Sequence, residues 1–249
     1  MLSRLKIKLK SDTLNSFHSS CMQGVLFESI DSDYISFLHM QNLHPYSQYL
    51  CRENGGAVWY INTLNDESFE KLILPLLSES FDCIKVKHIS EEKIDIIDKQ
   101  LTQIDRKNLL NEFYSDEHIK QINIKFKTPS SFKQNGIYNV VPDLRLIYQS
   151  LMMKYSASSD QINMTDKDAL DEMIKDSFVS GYSLKTTSFP VEHVTIPGFI
   201  GNMTIRFRNN DTISRYIRLL LRFGEFSGIG VKTGMGMGAF EIVGSAKDG

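Results

Sequence analysis

The sequence predicts an α+β protein made of two modules that repeat one order of strands and helices. The chain has 249 residues, enough to bury one large core or two cores of ordinary size. Hydrophobic residues make up 41% and charged residues 23% of it, values typical of a globular protein. Short alternating apolar segments recur in both halves, separated by segments with helical periodicity.

The first module is predicted to span residues 1–118. Its opening segment, residues 4–9, alternates lysines with apolar residues, which is the pattern of a half-buried strand. Asp12 is expected to cap a helix that runs to about residue 32. Residues 99–114 leave two alternatives, a helix or a surface excursion that joins the modules. The other predicted elements are a helix over 34–40, a strand over 57–62, a helix over 66–77 and a strand over 81–86.

The second module is predicted to span residues 119–249. Asp143 follows a proline and is expected to cap a helix. The predicted strands are 119–127, 183–189, 200–208 and 239–243, and the predicted helices are 143–155, 168–178 and 212–223. This order is that of a ferredoxin-like (RRM-like) unit. No Gly- or Pro-rich linker separates the halves, so we expect two tandem ferredoxin-like modules that are packed together.

Bulk properties exclude several classes of protein. No apolar run approaches the roughly 20 residues of a membrane span, and the chain begins with a strand pattern rather than a signal peptide. Cys21, Cys51 and Cys83 are odd in number and lack the paired spacing of metal ligands. We therefore expect a cytoplasmic protein with no disulfide framework, no structural zinc and no membrane partner.

The charge is divided unevenly between the halves. The net charge is −2, but residues 1–118 hold 12 Lys and Arg against 18 Asp and Glu, whereas residues 119–249 hold 16 against 12. An acidic half joined to a basic half indicates a localised face for phosphate groups.

Five glycines alternate with small or apolar residues in segment 228–238, directly after a basic amphipathic helix. A Walker loop needs a glycine before its Lys-Thr pair, but here Val231 precedes Lys232 and Thr233. A dinucleotide fingerprint must open a helix, and only eleven residues follow Gly238. Glycines let a backbone approach a ligand and present its amides to anionic oxygens, so the segment predicts a phosphate-binding loop.

The spacing Gly-x-Gly, five residues, Gly-x-Gly at Gly228, Gly230, Gly236 and Gly238 resembles the signature of the CRISPR-associated RAMP superfamily. Within it the chain resembles the endoribonucleases that cut precursor CRISPR RNA at its repeats. Two further elements carry this resemblance. One is the run from Leu38-His39 to His44-Pro45-Tyr46-Ser47, and the other is Lys127-Thr128-Pro129 followed by Val141-Pro142-Asp143.

The resemblance implies a metal-independent endoribonuclease that needs no cofactor. In such an enzyme the 2′-hydroxyl attacks the adjacent phosphorus and leaves a 2′,3′-cyclic phosphate, which requires a base, an acid and positive charge. His39 matches the family's Leu-His and is the first candidate for proton transfer. His44 stands where relatives often carry lysine, so proton transfer, charge stabilisation and RNA contact all stay open for it. Tyr34, Tyr46 and Ser47 are candidates to orient the 2′-hydroxyl or an imidazole, and Tyr46 completes the predicted catalytic set.

RNA binding is expected on the basic residues around the glycine loop. Arg215, Arg218 and Arg222 share one face of the preceding helix by their spacing. Arg206 and Arg208 alternate with apolar residues on the strand before it. The predicted RNA-binding residues are Arg206, Arg208, Arg215, Arg218, Arg222, Gly228, Gly230, Lys232, Thr233, Gly236 and Gly238. The other histidines, His18, His88, His118 and His193, are expected to be structural or on the surface.

The expected partner is CRISPR repeat RNA within the precursor transcript, together with a transient contact to a CRISPR effector complex. The main alternative is a RAMP subunit that binds guide RNA in such a complex without cutting it. The His39 to Ser47 element favours the nuclease, because a purely structural subunit has no use for it.

Overall fold

Two antiparallel sheets organise the chain. The computed structural model describes residues 1–87, 89, 92–114, 118–159, 164–191, 194–208 and 210–247. The first sheet has the strand order β2-β3-β1-β5-β4. Its elements are β1 (Leu2–Leu9), α1 (Ser19–Glu28), α2 (Ser32–Met40), β2 (Tyr46–Glu53), β3 (Gly56–Thr63), α3 (Asp66–Ser68), β4 (Cys83–Ile84) and β5 (Ile94–Ile104). A π turn (Phe69–Ile73) and a 3-10 turn (Leu74–Leu77) continue α3.

The second sheet has the order β11-β6-β10-β9. Its elements are β6 (Ile119–Ser130), α5 (Leu144–Ala157), α6 (Lys167–Asp176), β9 (Ser177–Val191), β10 (Val194–Phe207), α7 (Asp211–Ser227) and β11 (Phe240–Lys247). A small hairpin of β7 (Phe132–Gln134) and β8 (Ile137–Asn139) follows β6, and α4 (Arg106–Tyr114) joins the two sheets.

Each sheet is built as a ferredoxin-like unit. In both, the first strand lies between the third and fourth main strands and the second main strand is at the edge, with the helices on one face. Trp59 and Leu5 are buried in the first core, and Phe223 and Tyr148 in the second. The predicted fold class, α+β with two tandem ferredoxin-like modules, is thus confirmed.

The modules contact each other through the face of the first sheet that its helices leave open. The Ser47 hydroxyl donates a 2.5 Å hydrogen bond to the carbonyl oxygen of Phe226 at the end of α7. The Arg4 guanidinium lies 4.6 Å from the centre of the Phe226 ring. Beside them, the stacked rings of Tyr49 and Tyr60 share a buried cluster with residues of both modules. These contacts hold the glycine segment against the first module.

Helix α4 bears on the boundary predicted at residue 118. It follows the last strand of the first sheet, yet Leu109 is buried in the core of the second. The boundary stays a prediction, and the packing of α4 favours placing it before this helix.

Several predicted element bounds are wrong. Asp12 caps no helix; the Asn15 side chain caps a short 3-10 turn instead, and α1 begins only at Ser19. Residues 99–114 are neither one helix nor an excursion, since they contain the end of β5 and then α4. The strand expected over 81–86 is reduced to the two residues of β4. Strand β2 was not predicted at all.

None of the helices in the described ranges is both long and apolar enough to cross a bilayer.

Candidate active site

Helix α2 and the loop after it position two histidines beside one cavity. The Asp31 carboxylate caps the first turn of α2. His39 lies in the last turn, exposed, with its ring edge-on to Phe27 at 5.7 Å between centroids. His44 is half-buried in the loop that ends at the start of β2. Both imidazoles line a cavity of about 480 Å³.

The glycine loop, residues 228–238, forms the opposite wall. All four glycines of the Gly-x-Gly pairs have φ between +63° and +108°, a region that favours glycine. They also lack space for a side chain: a Cβ on Gly230 would lie 2.1 Å from the carbonyl oxygen of Ser131, and one on Gly236 would lie 2.1 Å from Ser19 Cβ. The glycines therefore serve the loop's own conformation and its packing against the protein.

Buried polar side chains fasten this loop to the first module. Gln48 on β2 donates from Nε2 to the carbonyl oxygens of Gly234 (3.1 Å) and Ser19 (2.8 Å). Trp59 in turn donates to Gln48 Oε1 at 2.9 Å, which fixes the amide's orientation. The loop consequently lies at a set position relative to the histidines.

Three successive amides of the loop are left for a ligand. Lys232 adopts the left-handed conformation with φ 58°, and a 3-10 turn begins at Thr233. Within the described residues, the amides of Lys232, Thr233 and Gly234 have no hydrogen-bond partner, whereas the next amide, of Met235, donates to Lys232 O at 2.9 Å. Consecutive amides in this geometry form a concave anion-binding site.

A buried lysine supports the loop from behind. Lys154 on α5 is 6% exposed and donates to the carbonyl oxygens of Ser227 (3.3 Å) and Gly228 (3.1 Å) and to Thr233 Oγ1 (3.3 Å). Burial lowers the pKa of Lys154 to about 7, while the three oxygen acceptors favour its charged form. Its ammonium group and that of exposed Lys232 make the cavity electropositive.

His44 responds to this environment. Burial lowers the pKa of His44 from its usual value, and the charges of His39, Lys232 and Lys154 lower it further. Its Nδ1 is buried without a hydrogen-bond partner in the described residues. His44 is therefore held in the neutral form near pH 7 and is able to accept a proton.

The described residues that line the cavity include no carboxylate. Nor do three or more His, Cys, Asp or Glu residues cluster anywhere in the described ranges so as to hold a metal ion. Two imidazoles, two lysines and free amides suit a phosphate group, and they are poor ligands for a hard cation such as Mg²⁺.

Comparison with known proteins decides the family. Residues 124–240 match the family model for the CRISPR-associated endoribonuclease Cas6. The chain is 34% identical over 220 residues to the CRISPR-associated endoribonuclease Cas6 of Streptococcus thermophilus, covering 88% of both chains. The chain belongs to the Cas6 family. It is also 35% identical to the Mycobacterium tuberculosis Cas6, covering 89% of this chain and 70% of that one.

The fold is shared with solved Cas6 structures. The Cas6 (TTHA0078) product complex superposes with a TM-score of 0.81 at 17% identity, covering 98% of this chain and 99% of that chain. At this identity the likeness shows the fold alone, and it agrees with the two ferredoxin-like units described above.

The Cas6-type motifs meet in one place. His39, His44, Gly230, Lys232 and Thr233 all line the cavity, although they come from both modules. Tyr46 lies just behind its wall: the side chain is fully buried, burial raises the pKa of its hydroxyl, and Gln23 donates to that oxygen at 2.8 Å. Its catalytic role stays a prediction. Its side chain contacts the glycine loop and does not line the open cavity.

Two other candidate residues, Ser47 and Tyr34, do not line the cavity. Ser47 lies on the opposite face of β2, where it accepts from Asn62 Nδ2 at 2.9 Å and bonds to α7. Tyr34 is buried, and its hydroxyl has no partner among the described residues.

The arginines predicted to bind RNA do not share one exposed surface. Arg218 is 2% exposed, so the structure leaves it unable to contact a phosphate, and its predicted RNA contact does not carry over. Arg215 is half-buried, and half-exposed Arg222 pairs with Glu225 at 3.2 Å. The shared face predicted for the three arginines is not exposed at Arg218, because α7 packs against neighbouring helices.

Arg206 and Arg208 are exposed, as expected, but they lie far from the loop. The loop is tied to Ser131 by the amide of Val231 at 3.0 Å, next to the Phe199 end of β10. Arg206 is seven residues further along this strand, about 23 Å away at the usual rise. Any RNA contact of this pair belongs to a separate surface.

No sequence motif marks Lys154, Gln23 or Gln48 as residues of the site. Among the other histidines, His18 accepts from the Asn15 amide at 3.2 Å and exposed His118 pairs with Asp211 at 2.8 Å, outside the cavity. His88 and His193 lie outside the described residues.

Proposed function

We propose that this member of the Cas6 family binds CRISPR repeat RNA and cuts the precursor transcript by attack of a 2′-hydroxyl, with His39 and His44 as its proton-transfer residues. The 2′-oxygen forms a bond to phosphorus, and the bond from phosphorus to the 5′-oxygen breaks. The products are a 2′,3′-cyclic phosphate and a 5′-hydroxyl, and the reaction needs no metal ion.

His44 is the base in this scheme. It takes the proton from the 2′-hydroxyl because burial and the neighbouring cations keep its imidazole neutral. His39 is the acid. It lies exposed in the last turn of α2, where its imidazole lines the cavity, and it gives its proton to the leaving 5′-oxygen.

The glycine loop stabilises the charge that develops on phosphorus. The amides of Lys232, Thr233 and Gly234 belong to residues that line the cavity, exposed Lys232 adds positive charge, and Lys154 supports the loop from behind by hydrogen bonds. Such fixed donors cost no reorganisation when the phosphorane forms. The observation that carries the proposal is this one cavity, in which two imidazoles oppose an anion-binding loop in a chain of the Cas6 family.

The alternative of a non-cutting guide-RNA subunit is not favoured. The curated relatives are described as endoribonucleases, and the two histidines line the same cavity as the loop. A scaffold would need only the loop. We also propose a cytoplasmic location, where RNA transcripts are met and where Cys21, Cys51 and Cys83 stay reduced, as these unpaired thiols require.

The test compares wild type with His39→Ala on the repeat RNA of the accompanying CRISPR array. We expect the single-turnover cleavage rate to fall about 10²–10⁴-fold, with affinity changed only a few fold. His118→Ala is the matched control, because this exposed histidine pairs with Asp211 and lies outside the cavity. An unchanged rate in His39→Ala would remove His39 from the reaction, and no cutting by wild type would leave the scaffold alternative.

A further inference from the structure

A second groove continues from the cavity past His39. It has a volume of about 680 Å³ and shares His39 and Gln23 with the cavity. It runs along the exposed side of α1, with Phe17 at one end. The groove is therefore within reach of a nucleotide next to a phosphate that lies against the glycine loop.

The chemistry of this groove differs from that of the cavity. No lysine, arginine, aspartate or glutamate is among the described residues that line it. The lining includes the rings of Phe17, Phe27 and Pro190, together with the polar side chains of His18, Ser20, Gln23 and His39. The aromatic rings suit the face of a base, and the polar side chains can hydrogen-bond to its edge.

Gly24 has no structural explanation within the protein. It lies in the middle of α1, where glycine costs helix stability relative to alanine. A Cβ placed on it would meet nothing within 4 Å, and its φ is an ordinary helical one, unlike those of the loop glycines. Because it lines the groove, the missing side chain leaves a flat floor for a ligand.

Phe17 is 46% exposed, a large apolar surface for a residue held in a fixed position. It lies in the 3-10 turn that Asn15 caps by accepting from the Phe17 amide at 3.0 Å. A rigid, exposed ring next to a flat floor is the arrangement in which single-stranded bases stack.

We propose that this groove binds an unpaired nucleobase of a nucleotide next to the scissile phosphate, stacked on Phe17 above Gly24. This inference rests on the proposed function and adds a base-binding subsite to it. The subsite holds the neighbouring nucleotide so that the scissile phosphate lies between His39 and the loop.

The test is a double-mutant cycle between protein and RNA. Repeat RNA with a 2′-deoxy group at the scissile nucleotide serves as the uncut ligand, and one abasic site is moved through the three nucleotides on each side. Phe17→Ala should weaken binding of the intact RNA by about 5- to 150-fold, the usual range for a lost aromatic stack. With the abasic site at the stacked position, the same substitution should have no further effect. Phe37→Ala is the control, since Phe37 is also exposed, at 36%, but lies outside the groove.

Gly24→Leu gives a second, opposite readout. Leucine favours the helix and its Cβ meets no neighbour within 4 Å, so the melting temperature should stay the same or rise while RNA affinity falls. Equal affinity of wild type and Gly24→Leu, or additive effects of Phe17→Ala at every abasic position, would overturn the base subsite. Cutting of the intact repeat by wild type is measured alongside. If wild type cuts and Phe17→Ala binds normally, the subsite alone fails; if wild type does not cut, the proposed function fails.

Discussion

At the scale of single residues, the surroundings of His44 decide how cleavage should depend on pH. Because burial, and after it the charges of His39, Lys232 and Lys154, lower the pKa of His44, the acid limb of the rate profile should lie below the pH typical of a free histidine. Lys232→Gln removes one of these charges, so the limb should move to higher pH. Single-turnover rates across pH measure this shift, with Lys133→Gln on the β7–β8 hairpin as the control. A limb that stays in place in Lys232→Gln would show that His44 does not act as the base.

Lys154 links pH to stability. Its pKa is about 7 in the folded protein against an ordinary lysine value of 10.5, so between these values the unfolded chain binds one more proton. The free energy of unfolding of wild type, relative to Lys154→Met, should therefore rise with pH by about 1.4 kcal/mol per unit in this window. Urea denaturation of both proteins at several pH values measures it. A difference that stays flat would mean that the hydrogen bonds to the loop keep the amine charged throughout.

At the scale of elements, substitution of a glycine in the loop should act by disturbing the fold of the loop rather than by removing RNA contacts. Gly236→Ala places a Cβ 2.1 Å from Ser19 at a φ of +108°, so the loop or α1 must shift. We expect a lower melting temperature together with slower cleavage. Gly181→Ala, in β9, meets no neighbour within 4 Å and should leave both unchanged. If Gly236→Ala kept full stability and lost only affinity, the glycine would be required by RNA, as the sequence alone suggested.

The strands and helices differ in how well they could be predicted from the sequence. Strand β1 and helix α5 were predicted because each has one apolar face, and Asp143 caps α5 by accepting from the Arg145 amide at 2.8 Å. Strand β2 was missed because both its faces are buried and one of its inward side chains is the polar Gln48. Its alternation of apolar and polar residues is thereby lost.

The site was predictable only in part, for a similar reason. His39, His44 and the glycine loop belong to sequence motifs, so they could be predicted from the sequence. Lys154 looks like an ordinary surface lysine near the end of a helix, and only the packing of α5 against the loop buries it. The packing of α7 against neighbouring helices buries Arg218 in the same way.

At the scale of the whole molecule, RNA binding should depend on the cavity and not on the buried face of α7. Lys232→Ala removes an exposed cation beside the free amides, so it should weaken RNA binding and flatten the slope of log affinity against log salt by about 0.7–0.9. Arg218→Ala should lower the melting temperature and leave the salt slope of the folded protein unchanged. Filter-binding titrations at several salt concentrations separate the two. A slope that changes for Arg218→Ala and not for Lys232→Ala would contradict this placement of the RNA.

The most direct test of the cavity as a metal-independent cleavage site is single-turnover cutting of the repeat RNA in EDTA, with mapping of the product ends. We expect one discrete cut that leaves a 2′,3′-cyclic phosphate and a 5′-hydroxyl, and complete loss of that cut when the scissile nucleotide carries a single 2′-deoxy substitution. Cutting of the 2′-deoxy RNA, or loss of activity in EDTA with rescue by magnesium, would contradict the account.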